Sequence, residues 1–404
     1  MDSAWRAGRH DRPVFAVKRP PIPSAVLALS GTHLVVDIFG NIYAPLLPIF
    51  IQRLDLSLAS AGVLAMALQL AGSVAQLFFG PLADRWRPRV LAVTGPVVAV
   101  VALSLAGLAT SPLMLGAILV IGSLGSAAFH PTAAALVNRV GGDRRNTAMS
   151  VHVTGGAIGN GIAPTIFSAW AQYVGIAWTP LLALPGVVAL ASLRRHVPEI
   201  RLSHQAGGTG FSALRPYAKP LALLWSVVVI RTITAIGLSV FLPVLLTRRG
   251  LSVAEAGLAA TSYLIAGSLG GLIGGPVADR LGARRVIAAT LAMSAPLLAG
   301  ALWLPGLAAL PVLVAGGFFL GSTLPVNISY AHAIAPVATG AVSSLMLGVA
   351  WGVGGMTVPL VGVAADAIGL TTALQILALL PLVGALLTLA LPAGETHGTE
   401  PVEA

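Results

Sequence analysis

The sequence is poor in what a water-soluble surface needs. Only 9% of its 404 residues are charged, against about a quarter in soluble globular domains. So few charges cannot clothe a chain of this length in water, and a soluble enzyme is excluded. There is no cysteine at all, which excludes a disulfide-stapled secreted scaffold. No GxxxxGK[ST] run occurs, so ATP hydrolysis is not expected to drive this protein. Neither a Cys/His/Asp cluster with metal-ligand spacing nor a Ser/His/Asp arrangement on a soluble domain is legible. We therefore expect no metal, no cofactor and no enzymatic reaction. Lysine is almost missing: of 23 basic residues only Lys18 and Lys219 are lysines.

What the chain has in abundance is apolar surface, with 56% hydrophobic residues and a mean hydropathy of +0.91. That excludes disorder and leaves a polytopic helical membrane protein. The net charge of +10 does not point to nucleic acid. The basic residues stand in short clusters between long apolar runs, which is how membrane topology is signalled.

A spanning helix takes ~20 apolar residues. The charge-free runs Asp55–Asp84, Arg89–Arg139, Arg145–Arg194, Glu255–Asp279, Arg285–Asp366 and Asp366–Glu395 predict ten spans. Two more carry one charge each: Ser24–Gln52 around Asp37 and Pro220–Thr247 around Arg231. The total is twelve, so both termini fall on one side. With the termini cytoplasmic, 19 basic residues lie in inner segments and three (Arg53, Arg248, Arg249) in outer loops, as the positive-inside rule requires. The expected organisation is a cytoplasmic tail over 1–23, a six-helix bundle over 24–192, a cytoplasmic linker over 193–219, a second bundle over 220–392 and a cytoplasmic tail over 393–404. Residues 1–23 are Arg- and Pro-rich and lack the apolar core of a signal peptide.

The chain repeats itself at a shift of 195 residues. LSLASAGVLAMALQLAGSVAQLFFGPLADR (56–85) and LSVAEAGLAATSYLIAGSLGGLIGGPVADR (251–280) agree without a gap at 15 of 30 positions. The same shift pairs Pro48 with Pro243, Gly122 with Gly317, Gly159 with Gly354 and Pro164 with Pro359. Apolar composition alone would not keep glycine and proline in one register over five helices. Two parallel six-helix repeats place a substrate site between the halves near the midplane.

The duplicated loop Gly80-Pro81-Leu82-Ala83-Asp84-Arg85 with Arg89, and Gly275-Pro276-Val277-Ala278-Asp279-Arg280 with Arg284 and Arg285, closely resembles the loop signature of the major facilitator superfamily. The resemblance covers essentially the whole chain. It implies an all-α membrane protein of twelve transmembrane helices in two six-helix bundles, working by alternating access. It also implies that each loop Asp caps a helix of the opposite half: Asp84 the eleventh helix near Ser343-Ser344, Asp279 the fifth near Thr147. Gly80, Asp84, Arg85, Arg89, Gly275, Asp279, Arg280 and Arg284 are then candidate conformational-gate residues. The first copy departs from the signature at Pro88.

Gly155, Gly156, Gly159 and Pro164 on the fifth span, and Gly354 and Pro359 on the eleventh, read as helix-packing positions where small residues let backbones approach. The fifth-span run also resembles the Gly/Pro stretch of the superfamily's antiporters, with Ala163 where a Gly is usual.

Of 36 charged residues only Asp37 and Arg231 sit within spans. A charge at the bilayer centre costs at least ~2.5–3.5 kcal/mol, so such residues pair or work. Under the shift Arg231 matches Val36, one residue from Asp37. The two are expected at similar depth, either as a static pin between the halves or as a working pair. His33, Asp37 and Asn41 follow at i, i+4 and i+8, one face of one helix. His130 on the fourth span, His152 on the fifth, Asn327 and Tyr330 on the tenth and Gln69 and Gln76 on the second are further polar groups at membrane depth, with His332 near the inner end of the tenth.

His33-x-x-x-Asp37, Phe129-His130-Pro131, Ser150 leading to Gly155-Gly156 and Pro164, and the Arg early in the seventh span are similar to the fosmidomycin-resistance group of the superfamily. The resemblance implies a proton-coupled exporter of small anionic or amphipathic compounds. Thr132 stands where that group tends to carry Glu, so a second acidic proton site is missing. On this reading Asp37 and His130 couple protons, while His33, Asn41, Arg231, Asn327 and Tyr330 meet the substrate. Asp37 is expected to alternate between a salt bridge to Arg231 and a protonated form. The expected partners are a small molecule, protons and the lipid bilayer, without nucleic acid. The expected state is a monomer in the cell inner membrane with both termini cytoplasmic. The alternatives are a proton-coupled organic-anion or sugar uptake symporter and, from another class, a non-transporting sensor or scaffold, which has no need of a charged midplane pair.

Overall fold

The computed structural model of the chain describes residues 22–85, 88–197, 199, 211–336 and 339–392. It is helical, with no strand among these residues. Twelve spanning helices run in chain order. In the first half α1 comprises Ser24–Gly40 and Tyr43–Leu54, α2 is Leu58–Arg85, α3 Pro88–Ser104 and α4 Pro112–Gly141. Then come α5 at Arg145–Trp170 and α6 at Ala183–His196, entered through the 3₁₀ segment Ile176–Leu182. In the second half α7 is Ala218–Arg248, α8 Val253–Leu281, α9 Ala283–Ala301 and α10 Ala309–Ile334. The next, α11, runs from Thr339–Ser343 through a π-helical segment, Ser344–Val349, to Ala350–Met356 and Val358–Ile368. Leu370–Thr388 is α12. Among the described residues nine stretches are long and apolar enough to cross a membrane. One of them, Pro112–His196, contains three helices, and only α9, which opens on Arg284 and Arg285, falls short.

The helix boundaries follow local chemistry. Ser111 accepts from the Met114 N–H ahead of Pro112 at the start of α4, a fitting N-cap with Pro at the first helical position. Ser252 and Glu255 form a reciprocal capping box at the start of α8. The surface is apolar where lipid must lie: Phe78, Leu113 and Trp303 are 71%, 84% and 75% exposed. Patches of this kind are not tolerated in water; they mark a multi-pass membrane protein.

The duplication seen in the sequence is a duplication of packing. Within the halves α2 lies on α4 as α8 lies on α10, and α3 on α4 as α9 on α10. Between the halves α5 packs on α8 and α2 on α11. Polar pins repeat with the same offset. The Arg89 guanidinium donates to the Arg194 carbonyl, and Arg284 to the Leu389 carbonyl. Each fastens the start of one helix to the end of another inside its own half.

Twelve spans return the chain to the side on which it starts; we call that side the near end and its opposite the far end. At the far end the halves are in tight contact. A Cβ on Gly62 of α2 would stand 2.7 Å from the Pro359 Cα of α11, and one on Gly257 of α8 would stand 2.6 Å from the Pro164 carbonyl of α5. Neither position admits a side chain without parting the helices. Thr165 donates to Thr261 across the same α5–α8 seam at 2.9 Å. The Asp366 carboxylate, at the end of α11, accepts from the Leu58 and Ala59 N–H groups at 3.1 and 2.9 Å. It thus caps the free start of α2 in the other half. At the related place Gln172 Oε1 accepts from the Ala254 N–H of α8 at 2.8 Å.

Candidate functional site

On the near-end side of these contacts lies a cavity of ≈ 510 Å³ between the first half and α11. Its polar wall includes Asp37, Gln69, Gln76, Ser126, His130 and Asn160; α11 closes it with Ser344, Leu347, Gly348 and Trp351. The first three α11 residues belong to the π-helical segment. Such segments widen a helix locally and gather at functional sites. The opposite wall is weakened in another way: α1 breaks after Gly40, and the Asn41 amide donates to the Asn160 carbonyl of α5 at 3.0 Å.

The centre of the wall is Asp37. Its Oδ1 lies 2.9 Å from His130 Nε2 on α4, and its Oδ2 lies 3.4 Å from His33 Nε2 one turn back on α1. His130 Nδ1 is held at 2.9 Å by the Ser126 carbonyl, and His33 Nδ1 at 2.9 Å by the His152 carbonyl of α5. The His33 ring stacks on His152 with centroids 4.3 Å apart and meets His130 edge-on at 5.0 Å. This approach depends on Gly156, where a Cβ would stand 2.5 Å from His33 Nε2 and 2.7 Å from Asp37 Oδ2. Gly159, one turn on, brings α5 against the Leu34 carbonyl, 2.2 Å from a Cβ built there. A hydrogen bond to a charged group contributes ~1.5–3 kcal/mol, of the order of the insertion cost of the carboxylate. The donor atoms of His33, Asp37 and His130 lie within 4.8 Å of one another, close enough to surround a small cation. A shared proton satisfies the same 2.9 Å contact without one.

The expected pair of Asp37 with Arg231 is not formed. Among the described residues Asp37 has ion-pair contacts with His33 and His130 only, and Arg231, 7% exposed, donates through Nε to the Leu320 carbonyl of α10 at 3.3 Å. The reason is rotation about the helix. Under the repeat Arg231 corresponds to Val36, which is fully buried in the core of its own half. One residue along an α-helix is a turn of ~100°, so equal depth does not mean facing each other.

Of the residues expected to meet substrate, His33, Asn41, Arg231, Asn327 and Tyr330, none lines this cavity. Asn327 is fully buried, with neither amide atom hydrogen-bonded, and the Tyr330 hydroxyl donates to the Pro392 carbonyl at the near end. Gln69 and Gln76, which the sequence left open as either interhelix contacts or cavity wall, both line it.

Of the gate residues, Gly80, Asp84 and Arg85 lie on the last turns of α2, and the surroundings of their side chains fall outside what the structure describes. Asp279 and Arg280 are exposed, and among the described residues no hydrogen bond or ion pair joins Asp279 to α5, so the expected cap on the fifth helix is not formed in this arrangement. Arg89 and Arg284 bond within their own halves. The caps that do cross between the halves come from Asp366 and Gln172 at the far end, which sequence reasoning missed. Asp366 had served there only as a boundary between spans. Its offset of 195 from Ala171, the neighbour of Gln172, was the available signal.

Comparison with known proteins agrees with this architecture. The sequence profile of the Major Facilitator Superfamily matches residues 29–252 and 223–404. The chain is 29% identical over 380 residues to the fosmidomycin resistance protein of Escherichia coli (strain K12), covering 90% of this chain and 92% of that protein. It is 31% identical over 378 residues to the uncharacterized MFS-type transporter YfnC of Bacillus subtilis (strain 168), covering 88% and 89%. Among solved structures, a bacterial homologue of the human lysosomal transporter Spinster superposes with a TM-score of 0.76 at 18% identity, over 91% of this chain and 96% of that one. The nucleoside transporter NupG superposes with a TM-score of 0.76 at 15% identity, over 91% and 98%. Profile, relatives and duplicated twelve-helix packing agree: the chain is a membrane transporter, not an enzyme, and belongs to the Major Facilitator Superfamily.

Proposed function

We propose that this transporter is a proton-coupled efflux antiporter for small anionic or amphipathic compounds. It would work by alternating access in a bacterial inner membrane with both termini cytoplasmic. The observation that carries the reading is the Asp37–His130 contact on the wall of the cavity. A carboxylate and an imidazole joined at 2.9 Å beside a space large enough for a small molecule are groups that exchange a proton where a substrate would lie. Efflux is supported by the fosmidomycin resistance protein among the relatives. An anionic substrate is supported by Arg231, a buried cation whose hydrogen bond to the Leu320 carbonyl uses only Nε and which has no carboxylate partner among the described residues. Its remaining donors suit a phosphonate or carboxylate once the halves move. With the termini cytoplasmic, the far end is the outer face, and the arrangement is closed to the outside.

The test is flux of fosmidomycin in proteoliposomes under an imposed pH gradient. Gradient-driven exchange in the wild type and its loss in Asp37→Asn, with expression retained, are expected. Flux of the wild type that ignores the gradient would overturn proton coupling, and accumulation only in the uptake sense would overturn efflux.

A further inference from the structure

Two histidines present the same ring atom to one carboxylate. His33 Nδ1 and His130 Nδ1 each lie 2.9 Å from a backbone carbonyl, those of His152 and Ser126. A carbonyl oxygen only accepts, so both Nδ1 atoms carry protons and donate them. The Ser126 hydroxyl, 3.3 Å from His130 Nδ1, can accept from the same N–H. Each ring is thereby fixed with Nε2 turned to Asp37, at 2.9 Å from Oδ1 for His130 and 3.4 Å from Oδ2 for His33. A bare Nε2 in either place would set its lone pair against the lone pairs of a carboxylate oxygen. The 2.9 Å contact of His130 therefore needs a proton, and the 3.4 Å contact of His33 is an ion-pair distance that a proton on Nε2 makes attractive.

We propose that His33 is a second proton-binding residue of this cluster, so that Asp37 shares two protons, one with His130 and one with His33. The inference rests on the proton-coupled reading above and deepens it. Asp37 and His130 line the cavity and His33 does not. The His33 proton thus reaches the cavity through the carboxylate, passing from Nε2 to Oδ2. No bond to substrate is required of His33, which is a proton-binding residue rather than the substrate contact expected from sequence.

No other titratable group intervenes among the described residues. On α1 itself the group is Asp37; α4 brings His130 and α5 brings His152, which stacks on His33. The other charged or titratable residues of α3, α4, α5 and α6 that pack near α1 (Arg89, Arg139, Arg145, Arg194, Arg195 and His196) stand on the near-end turns of those helices. On α7, Arg231 is directed to Leu320.

The test is ¹⁵N-histidine solid-state NMR of the full chain in lipid bilayers across about pH 5 to 8, with resonances assigned by their loss in His33→Gln and His130→Gln. The expected result is that His33 and His130 both carry two protonated nitrogens at the acidic end, and that His33 loses only its Nε2 proton as the pH rises. A His33 ring protonated on Nδ1 alone wherever His130 is doubly protonated would overturn the proposal, as would a His33 with a bare Nδ1. So would a stoichiometric divalent cation, found by elemental analysis of the purified protein, with both Nε2 atoms bare. In proteoliposomes loaded with fosmidomycin, the proton-to-substrate ratio should fall by one in His33→Gln. An unchanged ratio refutes the second proton alone. Wild-type flux indifferent to the gradient refutes the transport reading instead, and the protonation state of His33 is then still read by the spectra.

Discussion

Replacing Asp366 with Ala removes a contact that exists only while the far end is closed. The carboxylate accepts from two backbone N–H groups of the other half, at 3.1 and 2.9 Å, and sits against the positive end of α2. Loss of a helix N-cap costs ~0.5–2 kcal/mol, and the charge at a helix start accounts for ~0.3–1 kcal/mol of such an interaction. Asp366 is exposed, which places it toward the lower part of that range, at about 1 kcal/mol. Because the bonds are absent from the open state, the whole loss enters the equilibrium between the two states, and the open fraction should rise about five-fold. Asp366→Asn, which keeps one accepting oxygen without the charge, should fall between. The Gln172–Ala254 contact at 2.8 Å remains in both variants and limits the effect. The chain has no native cysteine, so Ser60→Cys on α2 and Ile368→Cys on α11 can be spin-labelled in an otherwise wild-type protein. The assay is the distribution of distances between the labels. A longer-distance population that grows from wild type through Asn to Ala is expected. An identical distribution in all three would refute the view that this cap holds the halves together.

Gly257→Leu places a branched side chain where a Cβ already stands 2.4 Å from the Ser168 side chain, so it should open the same end more strongly; accessibility of a single labelled cysteine at Ser262 reads it. Gly156→Ala pushes a methyl to within 2.5 Å of His33 Nε2 and should abolish gradient-driven flux while leaving thermal stability within about 1–2 kcal/mol. Arg231→Gln should raise the substrate concentration needed for half-maximal flux without altering the label distances at the far end, because its hydrogen bond lies within one half. Arg89→Ala and Arg284→Ala each remove a bond to a helix-end carbonyl, which its exposure to solvent holds to about 0.5–1 kcal/mol rather than the full value of a buried charged bond. Each should lower Tm in detergent by about 1–3 °C, to a similar degree in the two related variants.

Spans, duplication and superfamily were legible in the residues because each depends on one-dimensional properties. Hydropathy along the chain measures what lipid will accept, and the 195-residue register of Gly, Pro and the two Gly-Pro-x-Ala-Asp-Arg loops survives without coordinates. His33, Asp37 and His130 were also visible, as rare polar groups at membrane depth. What they touch was not. In a helix apolar on every side the sequence pattern does not say which face packs inward, so equal depth was read as proximity and Asp37 was matched with Arg231. The structure turns Arg231 by one residue into its own half and brings His130 to Asp37 from 93 residues away. Asp366 is the sharper case. In sequence it is a charge between two apolar runs; 308 residues separate it from Leu58, and only the packing of α11 on α2 sets its carboxylate on the unpaired N–H groups of another helix.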